Sequence, residues 1–178
     1  IVDPGDEAKR IKKFIEDQEL HPVAILLTHG HFDHVMAVDS VRTAYHIPVY
    51  AAEAEKETMQ DASINLSINM GGAMLSVEAD HWLKDGETIT LLDQEVRCIL
   101  TPGHTVGGMC FYFPKAGMLF SGDTLFQESV GRTDFPGGSM SEIVRSIREK
   151  LFVLPDAVQV YPGHGLMTSI KNEKMFNP

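Results

Sequence analysis

Apolar positions change their period several times along the first 60 residues, and each change marks a new element. From Asp6 to Glu19, Ala8, Ile11, Phe14 and Ile15 recur at helical spacing with charge on the opposite face, which predicts an amphipathic helix. Val23 to Thr28 is a continuous apolar run of strand length, the pattern of a strand buried on both faces. A polar loop, Thr28 to His34, follows directly. Val35 to Tyr45 then reads as helix, Pro48 to Ala51 as a short strand, and Ala52 to Gln60 as an acidic helix. Asp61 to Leu75 mixes Asn65, Ser67, Asn69 and Gly71 with Leu66, Ile68, Met70 and Leu75. It fits a loop or short helices, with a lid as its functional reading and a variable surface loop as its plain one.

From Lys84 the pattern turns β-rich. Asp85-Gly86, Asp93-Gln94 and Lys115-Ala116-Gly117 are turn signals between the runs Thr88–Leu91, Glu95–Thr101, Gly108–Phe113 and Met118–Ser121. These predict an antiparallel section of sheet. Ser141 reads as the N-cap of a helix reaching Leu151, and Val158 to Tyr161 as a further strand. Strands and helices mix along the whole chain, so a layered α/β architecture is expected.

Composition narrows the picture. The 178 residues suit one domain with a real core, spanning 1–178. Ile1-Val2 reads as the tail of a strand before the turn Asp3-Pro4-Gly5, so the expectation is an N-terminally incomplete domain. No apolar run approaches the roughly 20 residues of a membrane-spanning helix. A net charge of −10 argues against binding to a nucleic acid backbone. Cys98 and Cys110 are too few for a disulfide framework, which favours a reducing, cytoplasmic setting and buried free thiols over a redox or ligand role. A signal peptide preceding Ile1 would change that localisation.

The loop after the first predicted strand carries the chemistry. His29 and His31 are one residue apart, which in extended backbone puts both imidazoles on one side. Asp33 and His34 follow where a helix begins. Imidazole with carboxylate suits zinc, iron or manganese rather than calcium. Three more segments each place one ligand-type residue just past a strand-like run: His104 in Thr101-Pro102-Gly103-His104, Asp123 in Ser121-Gly122-Asp123-Thr124, and His164 in Tyr161-Pro162-Gly163-His164. Five of the eight histidines fall in these motifs, too many for chance; His21, His46 and His81 lie outside and read as surface or partly buried residues.

The order of these motifs resembles the metallo-β-lactamase superfamily, and within it the glyoxalase II branch and its compact bacterial relatives. The resemblance covers the chain from Asp3-Pro4-Gly5 to the tail. Gly131-Arg132-Thr133-Asp134 is similar to compact hydroxyacylglutathione hydrolase-like proteins and also to persulfide dioxygenases. The resemblance implies a four-layer αβ/βα sandwich with the site at the edge where two sheets meet. It implies two divalent metal ions, zinc first and iron or manganese as alternatives. His29, His31 and His104 would hold one; Asp33, His34 and His164 the other; Asp123 would bridge. Asp33 and Asp123 would be the catalytic carboxylates. The implied reaction is attack of a metal-bound hydroxide on the carbonyl of a small-molecule thioester such as S-lactoylglutathione.

Full-length glyoxalase II enzymes carry a C-terminal helical domain that helps hold glutathione; the sequence given ends at Pro178, soon after His164, so glutathione specificity is not expected to rest on such a domain here. Arg132 is the remaining candidate for binding a substrate anion; a salt bridge to Asp134 is its structural alternative. Asn172 and Glu173 in the tail either support the site from outside or cap a helix. Broad-spectrum zinc β-lactamases usually place a cysteine where Asp123 stands and lack the Asp33-His34 pairing, so antibiotic hydrolysis is not the expected main activity. Two other activities keep the same ligands: a lactonase, and a mononuclear iron persulfide dioxygenase using His29, His104 and Asp123. Oligomeric state is not legible.

Overall fold

The computed structural model describes residues 1–178. Two sheets stand face to face. The first is parallel, in the order β1 (Ile25–Leu26), β2 (Val49–Ala52), β3 (His81–Leu83). The second has six strands in the order β11 (Thr168–Ser169), β10 (Gln159–Pro162), β7 (Met118–Gly122), β6 (Met109–Phe113), β5 (Gln94–Leu100), β4 (Thr88–Leu91).

Three cores separate four layers, and the period-two alternation of strands builds them. Ile25, Leu27, Val49 and Ala51 face outward and pack with Val38 and Val41 of α3 (Val38–Tyr45) and Ile11 of α1 (Ala8–Asp17). Their neighbours Leu26, Tyr50 and Ala52 face inward, against Val96, Cys98, Met109 and Phe111 of the second sheet. On that sheet's far side, Cys110, Tyr112, Leu119 and Val160 meet Ile143 of α5 (Met140–Ser146) and Ile170 of α6 (Ile170–Phe176). Phe111 is fully buried at the centre of the inner core, and its truncation to alanine would cost about 3–5 kcal/mol. This is the αβ/βα sandwich. Both cysteines are buried free thiols.

Strand direction sets the place of the site. β5 and β7 are each antiparallel to β6, and β10 is parallel to β7. The C-terminal ends of β5, β7 and β10 therefore share one edge. The Met109 N–H donates to the Thr28 carbonyl at 2.8 Å, which ties the end of β1 to that edge.

Several elements differ from their sequence reading. The helix expected over 6–19 spans Ala8–Asp17, because Glu7 and Glu19 both take left-handed backbone. The buried run 23–28 contributes only Ile25 and Leu26 to the ladder. The helix expected over 35–45 is two, α2 (Phe32–Val35) and α3, parted at Met36-Ala37. Ala52 ends β2, and the expected helix after it is a 3-10 turn, Glu53–Glu55, followed by α4 (Lys56–Gln60). Within 61–75 lies one short π-helical turn, Ser67–Gly71. The N-cap of α5 is Ser139, whose hydroxyl accepts the Glu142 N–H, and not Ser141. Strand β3 and the hairpin of β8 (Leu125–Phe126) with β9 (Ser129–Val130) were not expected; two or three residues carry no readable period. No helix is long and apolar enough to cross a membrane.

Candidate metal centre

All seven sequence-predicted ligands converge at this shared edge. His29 and His31 extend the end of β1. Asp33 and His34 sit in the first turn of α2, whose N-cap is His31. His104 follows β5, Asp123 follows β7 and His164 follows β10.

They form two groups. The ligand atoms of His29, His31 and His104 lie within 4.8 Å of one another, as do those of Asp33, His34 and His164. His31 Nδ1 approaches His104 Nε2 to 2.9 Å. In the second group, His164 Nε2 is 3.2 Å from both His34 Nε2 and Asp33 Oδ2. Asp123 stands between: Oδ2 is 3.6 Å from His104 Nε2 and from His164 Nε2, and Oδ1 is 3.5 Å from His34 Nε2. Gly163 is required here, since a side chain would press its Cβ against the His34 ring and the Asp123 carboxylate.

The outward nitrogens are fixed. Thr28 Oγ1 gives its hydrogen to Asp3 Oδ2 at 2.6 Å and therefore accepts from His29 Nδ1–H at 3.1 Å. His34 Nδ1–H donates to Asp3 Oδ2 at 3.0 Å, and His104 Nδ1–H to the Arg132 carbonyl at 2.7 Å. Each bond holds a ring in one orientation and turns Nε2 toward the site, the arrangement that metal-binding histidines need. Sequence reasoning missed Asp3. Its signal was the rule that found the others, a ligand-type residue just past a strand-like run, here Ile1-Val2.

Electrostatics differ between the groups. Burial, together with the neighbouring imidazoles, holds His29 well below the usual histidine range and takes His31 to about 3. Burial lowers His104 as well. These three rings are neutral lone-pair donors. Burial also works against charge on His34, but the hydrogen bond to Asp3 and the charges of Asp3, Asp123 and Asp33 outweigh it and push its pKa up to about 9. A positive charge is thus favoured between these carboxylates.

A cation fits the residues present. His29 Nε2 and Asp123 Oδ1 are buried polar atoms with no hydrogen-bond partner. Buried orphans of this kind are costly unless something else satisfies them. Imidazole with carboxylate is the donor chemistry of zinc, iron and manganese.

A cleft of about 460 Å³ opens over the centre, lined by the apolar side chains of Leu66, Met70, Phe126 and Phe135 among others. Arg132 lines it, but its guanidinium is paired twice with Asp134, at 2.7 and 2.6 Å, and lies over the Phe135 ring at 4.0 Å. The salt bridge to Asp134 is formed, and the Arg132 carbonyl serves the centre by accepting from His104. Glu173 is buried and accepts the Glu128 N–H, so the tail supports the β8–β9 hairpin that walls the cleft.

The sequence profile of the metallo-beta-lactamase superfamily matches residues 1–164. The whole chain aligns with 85% of a probable metallo-hydrolase of Bacillus subtilis at 40% identity, and with 85% of the hydroxyacylglutathione hydrolase GloC of Haemophilus influenzae at 34%. Among solved structures, BLEG-1, a B3 metallo-beta-lactamase, superposes with a TM-score of 0.94 at 40% identity, over 99% of this chain and 86% of its own. TTHA1623 in a di-iron-bound form gives 0.88 at 35% identity, over 99% and 87%. ETHE1 from Myxococcus xanthus gives 0.80 at 26%, over 99% and 71%.

Proposed function

The chain belongs to the metallo-beta-lactamase superfamily and is a metal-dependent hydrolase; from that premise we propose that it cleaves a small hydroxyacyl thioester, such as S-lactoylglutathione, with the help of two divalent ions. The observation that carries this reading is the second ligand group. Asp33, His34 and His164 stand complete beside the three-imidazole group, with Asp123 between them.

His29, His31 and His104 would hold one ion, Asp33, His34 and His164 the other, and Asp123 would serve both. Divalent ions in such a site polarise a carbonyl and lower the pKa of water to about 7. The C–S bond breaks, water supplies the new C–O bond, and the products are a carboxylate and a thiol. The side chains of Asp33 and His164 are 39% and 55% exposed, so these residues face the cleft where substrate arrives. The Asp33 carboxylate oxygen that the ion leaves free would take up a proton released in cleavage. A thiol of pKa about 8.5 leaves as thiolate without a dedicated acid, and none of the cleft residues is asked to act as one. A cleft of about 460 Å³ suits a small molecule. A substrate carboxylate reaching Arg132 would compete with Asp134 for it.

The likeness to BLEG-1 favours β-lactam hydrolysis as a second reading, against the expectation drawn from Asp123. A persulfide dioxygenase would need one redox-active iron on His29, His104 and Asp123; the distant likeness to ETHE1 is compatible with it, and the complete second group weighs against it. The test compares three substrates. Zinc-loaded protein should release thiol from S-lactoylglutathione without oxygen uptake, and faster than it opens a cephalosporin. Rapid oxygen uptake with glutathione persulfide by the iron form, beside an inert zinc form, would overturn the thioesterase reading.

A further inference from the structure

Outside the ligand set, one carboxylate is buried against the two loops that carry the inner imidazoles. Glu55 closes the 3-10 turn before α4, and only 1% of it is exposed. No lysine, arginine or histidine pairs with it. Its two oxygens are instead divided between two backbone donors. Oε1 accepts the Gly30 N–H at 3.0 Å, and Oε2 accepts the Gly107 N–H at 2.7 Å. Gly30 stands between His29 and His31, and Gly107 lies three residues past His104. The same segment packs directly on both glycines. A methyl group on Gly30 would stand 2.7 Å from Met59 Cγ, and one on Gly107 would overlap the Glu55 backbone nitrogen. Burial of a carboxylate away from any cation is unfavourable, and it lifts the Glu55 pKa to about 7 against the pull of the Gly30 and Gly107 N–H donors and the Thr105 and Thr58 hydroxyls. A hydrocarbon side chain would fill the space without that penalty, but it would leave the buried Gly30 and Gly107 N–H groups unpaired.

We propose that Glu55 is a positioning residue, which fixes the spacing of the His29–His31 loop against the His104 loop and thereby the affinity of the three-imidazole group for a divalent ion. One side chain spans two loops distant in sequence. Two acceptors on one rigid carboxylate hold the two backbone N–H groups at a set separation, and the imidazoles ride on those loops. The inference rests on the metal reading of His29, His31 and His104, and deepens it.

The charge-neutral variant Glu55→Gln keeps the shape but turns an amide N–H toward one of the two backbone N–H donors, so one link is lost. Gly107→Ala leaves the carboxylate intact and displaces its turn. Both are made in an Asp33→Ala background, where zinc titrates the inner group alone, and in a His104→Ala background, where it titrates the second group. Melting of the metal-free proteins is followed in parallel. Changes in residues that orient metal ligands cost about 10- to 100-fold in affinity. We expect that loss at the inner group from each variant, with the second group held within about threefold. Inner affinity kept within threefold by both variants would overturn the proposal, as would equal losses at both groups that track a lower melting temperature. If Glu55→Gln does not fold, Gly107→Ala decides by the same criteria. Absence of zinc binding in the unaltered protein is a different failure, since it removes the metal reading itself.

Discussion

The two ligand groups share one edge of the fold but not one environment. His29, His31 and His104 are 2%, 3% and 4% exposed, neutral, and held by Thr28, the Arg132 carbonyl and the loops clasped by Glu55. In the second group, His34 is buried at 3%, whereas the side chains of Asp33 and His164 stand open to the cleft. The inner group is buried, with lone pairs already aimed. The second depends on carboxylate charge and on side chains that solvent and substrate can reach. On the two-ion reading proposed above, preorganisation of the first and access to the second would divide the labour: one ion would be held, the other would meet substrate.

The largest effect should come from breaking the inner group. His104→Ala removes a buried ligand, and loss of an ion's charge stabilisation is worth several kcal/mol, on the order of 10³-fold in kcat/KM. Steady-state thioester cleavage, with zinc content measured on the same sample, checks this. Asp33→Ala should keep the inner ion and lose the second. If the two variants lost the same ion, the division into groups would be wrong.

A smaller effect is expected from Asp3→Asn. Asp3 orients His34 directly and His29 through Thr28, but its charge lies nearest His34. Zinc affinity of the second group should fall about 10- to 100-fold, and that of the inner group less. Equal losses would show that Asp3 serves both groups alike.

Arg132→Ala should do least. The guanidinium is engaged with Asp134 near the surface, and the carbonyl that holds His104 survives the substitution. Zinc affinity should stay within about fivefold of the unaltered protein, as for other exposed ion pairs. A rise in KM alone would identify Arg132 as a substrate contact; loss of inner zinc would show that its side chain, not its carbonyl, supports the centre.

The seven candidate ligands were legible because their chemistry and their position coincide: each is a ligand-type residue just past an apolar run. The layered fold was legible from the mixture of periods, although the four layers themselves came from the resemblance. What stayed hidden acts through distance in sequence. Asp3 follows a strand-like run but reads locally as part of a turn, and its partner His34 lies 31 residues on. Glu55 reads as one more acid on an acidic helix; only the packing of two remote glycines makes it a buried clasp. Arg132 could not be decided from sequence because Asp134 and an incoming anion offer a guanidinium the same geometry. The β8–β9 hairpin was too short to show a period, yet Phe126 and Val130 wall the cleft.

Zinc titration of the metal-free protein by calorimetry tests the central claim most directly. The account predicts two ions per chain in two steps, the tighter removed by His104→Ala and the weaker by Asp33→Ala, with full thioesterase activity only when both steps are complete. A single ion per chain supporting full activity, or a tighter step that His104→Ala leaves in place, would contradict it.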